Sequence, residues 1–157
     1  MQSVSQIEER RKASIWTRIH PFFAIGQLGV FFVSVTLLGF YFAGRVPFHV
    51  VHISVLIKVG LMVGAVITGA LWERDVYGMW WFAKEFFVED IITVVVFALH
   101  VVYLACVYTW PANLHFNLAL LGVAYIAYIT NAGQYIWRHR KNQRNAQRRA
   151  DQEERAA

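Results

Sequence analysis

The chain has 157 residues, of which 57% belong to the apolar set AVILMFWYC and only 16% are charged, with a formal net charge of +5. A soluble globular chain has about 25% charged residues, so an ordinary water-soluble domain is excluded. The apolar content also excludes a disordered chain, and the single cysteine, Cys106, excludes a disulfide scaffold.

Four apolar runs follow one another along the chain, and each is close to the roughly 20 residues that cross a bilayer as a helix. They cover residues 22–43, 48–72, 88–110 and 114–137. Proline, glycine or charged residues separate them, as expected where helices end. The sequence therefore predicts an all-α fold, an integral membrane four-helix transmembrane bundle in residues 21–137. Polar segments flank it at residues 1–20 and 138–157.

The distribution of charge predicts the orientation of this bundle. The two flanking segments carry 11 basic and 5 acidic residues, whereas residues 21–137 carry 4 basic and 5 acidic ones. By the positive-inside rule, both termini are expected in the cytoplasm. The basic C-terminal run has no aromatic residue among its arginines, so we expect a lipid bilayer and no nucleic acid as its partner.

Two ionisable side chains lie near the middle of predicted spans, where such groups are costly and mark candidate sites. Lys58 in the second span and His100 in the third are both about two residues to the outer side of the midplane. They could meet and hold a polar or anionic group of a ligand. They could equally form a structural pair, and the sequence leaves both interpretations open.

A second group of polar residues is expected toward the cytoplasmic side. Glu85, Glu89, Thr93 and His100 share one face of the third helix, with Asp90 about 100° around from Glu89. The fourth helix carries a polar and aromatic stripe made of Asn117, Ala124, Tyr128, Asn131 and Tyr135, with Gln134 beside it, and the second helix ends at Trp72 and Glu73. These stripes predict a polar cavity that opens toward the cytoplasm. The aromatic-rich residues 76–87, VYGMWWFAKEFF, would cover it, either as a membrane anchor or as a wall for a large flat ligand.

The residue types in this cavity suit proton-transfer chemistry on a lipophilic substrate. The chain has no glycine-rich phosphate loop, no CxxC and no HExxH motif. In the carboxylate cluster of Glu85, Glu89 and Asp90, one member could keep a proton and act as a general acid. The alternative is a salt-bridge network of these carboxylates with Arg74 and Lys84.

Several segments of the chain resemble the vinyl bacteriochlorophyllide hydratase family, over roughly residues 10–140. They are TGALWER (68–74), VYGMWWFA (76–83), FFVED (86–90), ALH (98–100), Tyr103-Leu104 and NAGQ (131–134). The resemblance implies an enzyme, a hydro-lyase that adds water to the C3-vinyl group of chlorophyllide-type pigments in bacteriochlorophyll synthesis. It also implies a multi-pass protein of a bacterial inner membrane. No cofactor is expected, since the magnesium ion belongs to the pigment substrate.

The site residues expected for such a reaction follow from its chemistry. The candidates for acid and water-activating carboxylates are Glu89, Asp90 and Glu73. Asn131 and Gln134 would position the water or a pigment carbonyl. His100 would ligate the pigment's magnesium or pair with Lys58, and Trp72 would contact the macrocycle. Arg18, Arg74 or Lys84 would hold the free propionate at the interface.

The main alternative is a membrane protein that binds a pigment or another cofactor for assembly without changing it. A bis-histidine haem site fits poorly, because His52 would lie about 9 Å further out than His100. A homo-oligomer or a complex with neighbouring pigment-synthesis enzymes is compatible with this sequence.

Overall fold

Within residues 4–84 and 86–156, which the computed structural model describes, the regular structure consists of five α-helices and no strand. The helices are α1 (Val4–Ala13), α2 (Trp16–Phe42), α3 (Phe48–Tyr77), α4 (Phe87–Thr109) and α5 (Leu114–Ala156). In this described part, four helices are long and apolar enough to cross a membrane, namely α2, α3, α4 and the stretch Leu114–Asn145 of α5. The predictions of an all-α fold and of four such apolar helices are confirmed.

Glycine residues stand at the C-terminal ends of two of the long helices, α2 and α3. Gly44 has a φ of 70° and closes α2, where the N–H of Arg45 donates to the carbonyl of Phe40 at 2.9 Å. Gly78, with a φ of 75°, closes α3 and donates to the carbonyl of Arg74 at 3.0 Å. Glycine is favoured at both positions because it adopts left-handed backbone without a Cβ penalty.

The helices extend beyond the apolar runs of the sequence. α2 starts at Trp16, α3 continues to Tyr77 and therefore includes Glu73, and α5 continues to Ala156. With its 43 residues, α5 is about 64 Å long, roughly twice the 30 Å of a bilayer core. Hydropathy marks the part of a helix that suits lipid, whereas Gln, Arg, Lys and Glu continue the same helix into water.

The described chain divides into two units, one ending at Phe87 and the other beginning at Val88. In the first unit, α2 and α3 are joined by a buried hydrogen bond of 2.6 Å between the hydroxyls of Ser34 and Ser54. Gly64 lets the Phe23 ring approach α3, because a Cβ at this position would collide with that ring. Gly60, one turn away on the same helix, meets no neighbour within 4 Å.

In the second unit, α4 and α5 carry their buried side chains in matching stripes. The buried residues of α4 are Val96, His100, Tyr103 and Cys106, and those of α5 include Asn117, Leu121, Ala124, Tyr125 and Tyr128. In both units many large apolar side chains lie exposed, among them Phe22 at 73% and Ile126 at 68%. Such surfaces suit contact with lipid acyl chains.

Candidate functional site

The end of α3 and the segment that follows it are tied together by a buried carboxylate. Glu73 is only 5% exposed, and its Oε2 accepts a hydrogen bond of 3.1 Å from the backbone N–H of Ala83. Between them the chain turns at Gly78 and passes through Phe82, which has a positive φ of 62°. Glu73 thus holds residues 78–84, which we call the aromatic segment, against α3.

Trp72 lies in an aromatic cluster with Tyr77 and Phe86. Its ring centroid is 5.8 Å from that of Tyr77 and 5.6 Å from that of Phe86, both in edge-to-face geometry. The indole Nε1 donates to the hydroxyl of Thr17 at 3.0 Å. The guanidinium of Arg11 lies 5.6 Å from the Trp72 ring centroid and donates to the Tyr77 hydroxyl. The N-terminal helix is thereby attached to the end of α3.

Two exposed cationic side chains of the same unit, Arg74 and Lys84, are accessible to an anionic group. Arg74 is exposed and lies over the Trp80 ring, with 4.3 Å between its Cζ and the ring centroid. Lys84 is exposed on the aromatic segment. Trp80 and Phe82 are 58% and 38% exposed, so this part of the molecule presents aromatic surface together with positive charge.

Lys58 lies fully buried in the middle of α3. Its Nζ is 3.6 Å from the Sδ of Met62 and 5.9 Å from the centroid of the Phe31 ring. Both contacts are weak interactions of an ammonium group with polarisable partners. Within the first unit, Lys58 therefore contacts a thioether and an aromatic ring.

His100 is fully buried on α4, and a backbone hydrogen bond fixes its tautomer. Its Nδ1 donates to the carbonyl of Val96 at 2.8 Å, and its ring centroid is 6.2 Å from that of Tyr125. Because a carbonyl only accepts, the proton of the neutral ring is on Nδ1 and Nε2 is the ring's acceptor. Metal-ligating histidines are usually oriented by such a bond from the other ring nitrogen.

Two side-chain pairs join α4 to α5 near the start of α4. Glu89 forms an ion pair with Arg138, and the side chains are 15% and 34% exposed. One turn along α4, the hydroxyl of Thr93 accepts a hydrogen bond of 3.3 Å from Nδ2 of Asn131. The Oδ1 of Asn131 is buried and has no hydrogen-bond partner in the described part of the chain. We refer to Glu89, Thr93, Asn131 and Arg138 as the polar seam.

The sequence profile of the 2-vinyl bacteriochlorophyllide hydratase family matches residues 5–141. The chain belongs to this family. The 2-vinyl bacteriochlorophyllide hydratase of Cereibacter sphaeroides is 39% identical over 132 residues, which cover 83% of this chain and 81% of that protein. The enzyme of the same name from Rhodobacter capsulatus is 40% identical over 134 residues, which cover 84% of this chain and 77% of that protein. No solved structure matches the chain.

Membership of the 2-vinyl bacteriochlorophyllide hydratase family confirms the resemblance read from the sequence motifs. It also confirms the prediction of an enzyme of the hydro-lyase class. The four apolar helices agree with a multi-pass membrane protein.

The predicted site residues of this hydratase family member fall into both units. Lys58, Trp72, Glu73, Arg74 and Lys84 lie in the first unit, and Glu89, Asp90, His100, Asn131 and Gln134 lie in the second. The polar seam brings Glu89 and Asn131 together on one side of the α4–α5 hairpin, whereas Gln134 is exposed. Glu85, the third carboxylate of the predicted cluster, lies outside the described residues. The pairing of Lys58 with His100 stays a prediction.

Two arginines of this hydratase family member have contacts that the sequence does not predict. From the sequence alone, both count only among the basic residues that determine the membrane orientation. Arg11 contacts Trp72 and Tyr77, and Arg138 contacts Glu89. A signal for Arg138 was present, because Asn117, Asn131 and Arg138 continue one heptad spacing along α5. No comparable spacing points to Arg11. In the described ranges, no three His, Cys, Asp or Glu side chains gather as metal ligands would.

Proposed function

We propose that this chain adds water to the vinyl group of a chlorophyllide-type pigment and so gives the 3-(1-hydroxyethyl) pigment. The substrate would be chlorophyllide a or a related bacteriochlorophyllide. The observation that carries the proposal is the match to the hydratase family over residues 5–141, together with two relatives of that name near 40% identity. The four apolar helices suit a substrate that partitions into a membrane.

The reaction asks three things of the protein. A carboxylic acid transfers a proton to the terminal vinyl carbon, so that the carbon–carbon π bond breaks and a cation forms on the carbon attached to the macrocycle. A water oxygen then bonds to that carbon, and one proton of the water passes back to a carboxylate. The protein must therefore supply a proton, place a water molecule and stabilise positive charge.

The start of α4 offers two carboxyl groups, Glu89 and Asp90, to which we assign these tasks. Glu89 is paired with Arg138, which suits an oriented anion that stabilises the cation and aligns the water. Asp90, the next residue, is the carboxyl that we assign to proton transfer. Glu73, the third candidate, binds the N–H of Ala83, and we assign it to holding the aromatic segment.

The water molecule would be positioned by the amide of Asn131. Its Nδ2 binds Thr93, and its buried Oδ1 lacks a donor within the described residues. A water molecule has hydrogens to donate to this oxygen, whereas a pigment carbonyl has none. We therefore assign Asn131 to the water and place Gln134, which is exposed, at the margin of the site.

Pigment binding would use groups of matching chemistry. Nε2 of His100 is of the right type to ligate the magnesium ion, which belongs to the substrate and not to the protein. Lys58 would contact a polar group of the pigment, and Trp72 would face its flat macrocycle. The exposed cations Arg74 and Lys84 suit the free propionate of the pigment at the membrane surface.

We propose that four helices cross a bacterial inner or intracytoplasmic membrane, with both termini in the cytoplasm. The basic flanking residues support this orientation. The pigment would enter laterally with its propionate at the cytoplasmic surface. A homo-oligomer or contact with neighbouring pigment-synthesis enzymes is compatible with the many exposed apolar side chains.

The test is expression of the chain in a host that makes no bacteriochlorophyll. Isolated membranes are incubated with chlorophyllide a and with a vinyl bacteriochlorophyllide, and the pigments are analysed by mass spectrometry and absorption. We expect a product heavier by one water, with a blue-shifted red band. Membranes with the Asp90→Asn and Glu89→Gln double variant are the control. Binding of either pigment without any hydrated product would instead support an assembly protein.

A further inference from the structure

The basic residues that follow Trp137 differ in their surroundings. Arg140, Lys141, Arg144 and Arg148 are exposed, as expected for charges that only favour the cytoplasmic side of a membrane. Arg138 is different, because two thirds of its side chain is covered and its guanidinium is bound to Glu89. Membrane orientation requires positive charge at this end of α5, but it does not require that any one of these charges pairs with a specific carboxylate.

The partner of Arg138 is the carboxylate that the proposed reaction uses. Glu89 is 15% exposed and stands in the first turn of α4, beside Asp90. An arginine binds a carboxylate through fixed N–H donors and so restrains its orientation more than a lysine ammonium would. The second pair of the polar seam, Asn131 with Thr93 at 3.3 Å, fixes the register of α4 and α5 next to it.

We propose that Arg138 is a positioning residue of the hydratase, which holds the Glu89 carboxylate in the orientation that the hydration step requires. This inference rests on the proposed function. Arg138 acts through Glu89 and does not contact the pigment. Displacing a reacting group by about 1 Å can cost on the order of 100-fold in rate, so loss of this ion pair should lower kcat.

The experiment compares Arg138→Gln, Arg138→Lys and Arg140→Gln in membranes of the expression host, with vinyl pigment as substrate. Arg140→Gln removes the same charge from an exposed position two residues away and is the matched control. We expect Arg138→Gln to lower kcat on the order of 100-fold with an unchanged KM, and Arg140→Gln to behave as the unaltered chain. Arg138→Lys should regain part of the lost rate, because it restores the charge without the planar fork.

The proposal is overturned if Arg138→Gln keeps the kcat of the Arg140→Gln control. It is also overturned if the loss lies wholly in KM, or in the amount of folded protein at constant kcat. If Arg138→Gln yields too little folded protein, the Arg138→Lys variant is measured instead. A kcat of Arg138→Lys equal to that of the unaltered chain would contradict the role of the guanidinium group. Failure of the proposed function looks different, because then the unaltered chain itself hydrates no vinyl pigment.

Discussion

The backbone N–H of Ala83 donates a hydrogen bond of 3.1 Å to the Oε2 of Glu73, ten residues earlier in the chain. Both side chains are buried, at 1% and 5% exposure. The residue just before Ala83, Phe82, has a φ of 62°, a backbone conformation that disfavours residues with a Cβ. The bond from Ala83 to Glu73 therefore stabilises a segment whose local conformation is unfavourable by itself.

Replacing Glu73 by alanine should release the aromatic segment. Hydrogen bonds to a charged group contribute about 1.5–3 kcal/mol, so the open form of the segment should become at least about tenfold more populated. Trypsin can report this opening, because Lys84 is an exposed cleavage site on the segment. We expect faster cleavage after Lys84 in Glu73→Ala than in the unaltered chain, measured in detergent by mass spectrometry of the fragments.

Two variants control this experiment. Glu73→Gln keeps an oxygen that accepts from Ala83 and should be cleaved at a rate close to that of the unaltered chain. Asp75→Asn weakens the 3.0 Å bond from the Ser14 hydroxyl, which attaches the N-terminal helix and not the segment. Equal cleavage rates for Glu73→Ala and Glu73→Gln would show that the bond to Ala83 does not hold the segment.

The two carboxylates at the start of α4 should be needed for turnover and not for binding. General acid–base catalysis contributes typically about 10²–10⁴-fold, so Asp90→Asn and Glu89→Gln should each lower kcat within this range. Pigment binding, followed by the absorption shift on titration into membranes, should survive in both. Asp75→Asn removes an exposed carboxylate elsewhere and should leave the rate unchanged. Full turnover by Asp90→Asn would refute its assignment to proton transfer.

The sequence predicts the helices of this protein well because lipid imposes a simple rule on it. A span must be a run of about 20 apolar residues, and Gly44 and Pro111 interrupt those runs near the ends of α2 and α4. The same rule misses where a helix continues in water. The extension of α5 to Ala156 depends on the helix propensity of polar residues, which hydropathy does not measure.

The site is harder to predict, because its contacts depend on register and on backbone donors. Glu89 and Asn131 are recognisable as polar groups at membrane depth, but the partner of Glu89 is an arginine that charge counting places with the cytoplasmic tail. Glu73 is recognisable as a carboxylate, yet its partner is the backbone N–H of Ala83. Because nearly every residue has a backbone N–H, the residue type at position 83 does not predict this hydrogen bond. The sequence shows which side chains can donate or accept a proton, whereas the fold determines which groups they bind.

Asn131 should affect the rate, whereas a similar amide near the start of α5, Asn117, should not. Both Asn131 and Asn117 have a buried Oδ1 without a hydrogen-bond partner among the residues described, and about 21 Å of helix separates them. Nδ2 of Asn117 donates to the Trp110 carbonyl at 3.3 Å and so stabilises the α4–α5 turn. We expect Asn131→Ala to lower kcat at least about tenfold by releasing the water, and Asn117→Ala to lower only the unfolding temperature. Equal kcat values for the two variants would argue against the assignment of Asn131.

Gly64 and Gly60 form a matched pair for testing the packing of α2 on α3. A Cβ at position 64 would meet the ring of Phe23, whereas a Cβ at position 60 meets nothing within 4 Å. Overpacking costs about 1–3 kcal/mol, so Gly64→Ala should lower the midpoint of thermal unfolding in detergent by several degrees. Gly60→Ala should leave the midpoint unchanged or raise it, since alanine has the higher helix propensity.

The same pair of helices offers a rescue that identifies the cause of the loss. Phe23→Leu combined with Gly64→Ala replaces the ring by a smaller side chain on α2, which leaves room for the new Cβ. The double variant should therefore unfold at a higher temperature than the sum of the two single effects predicts, which a double-mutant cycle measures directly. Strict additivity of the two effects would mean that Phe23 and Gly64 are not in contact and that α2 meets α3 elsewhere.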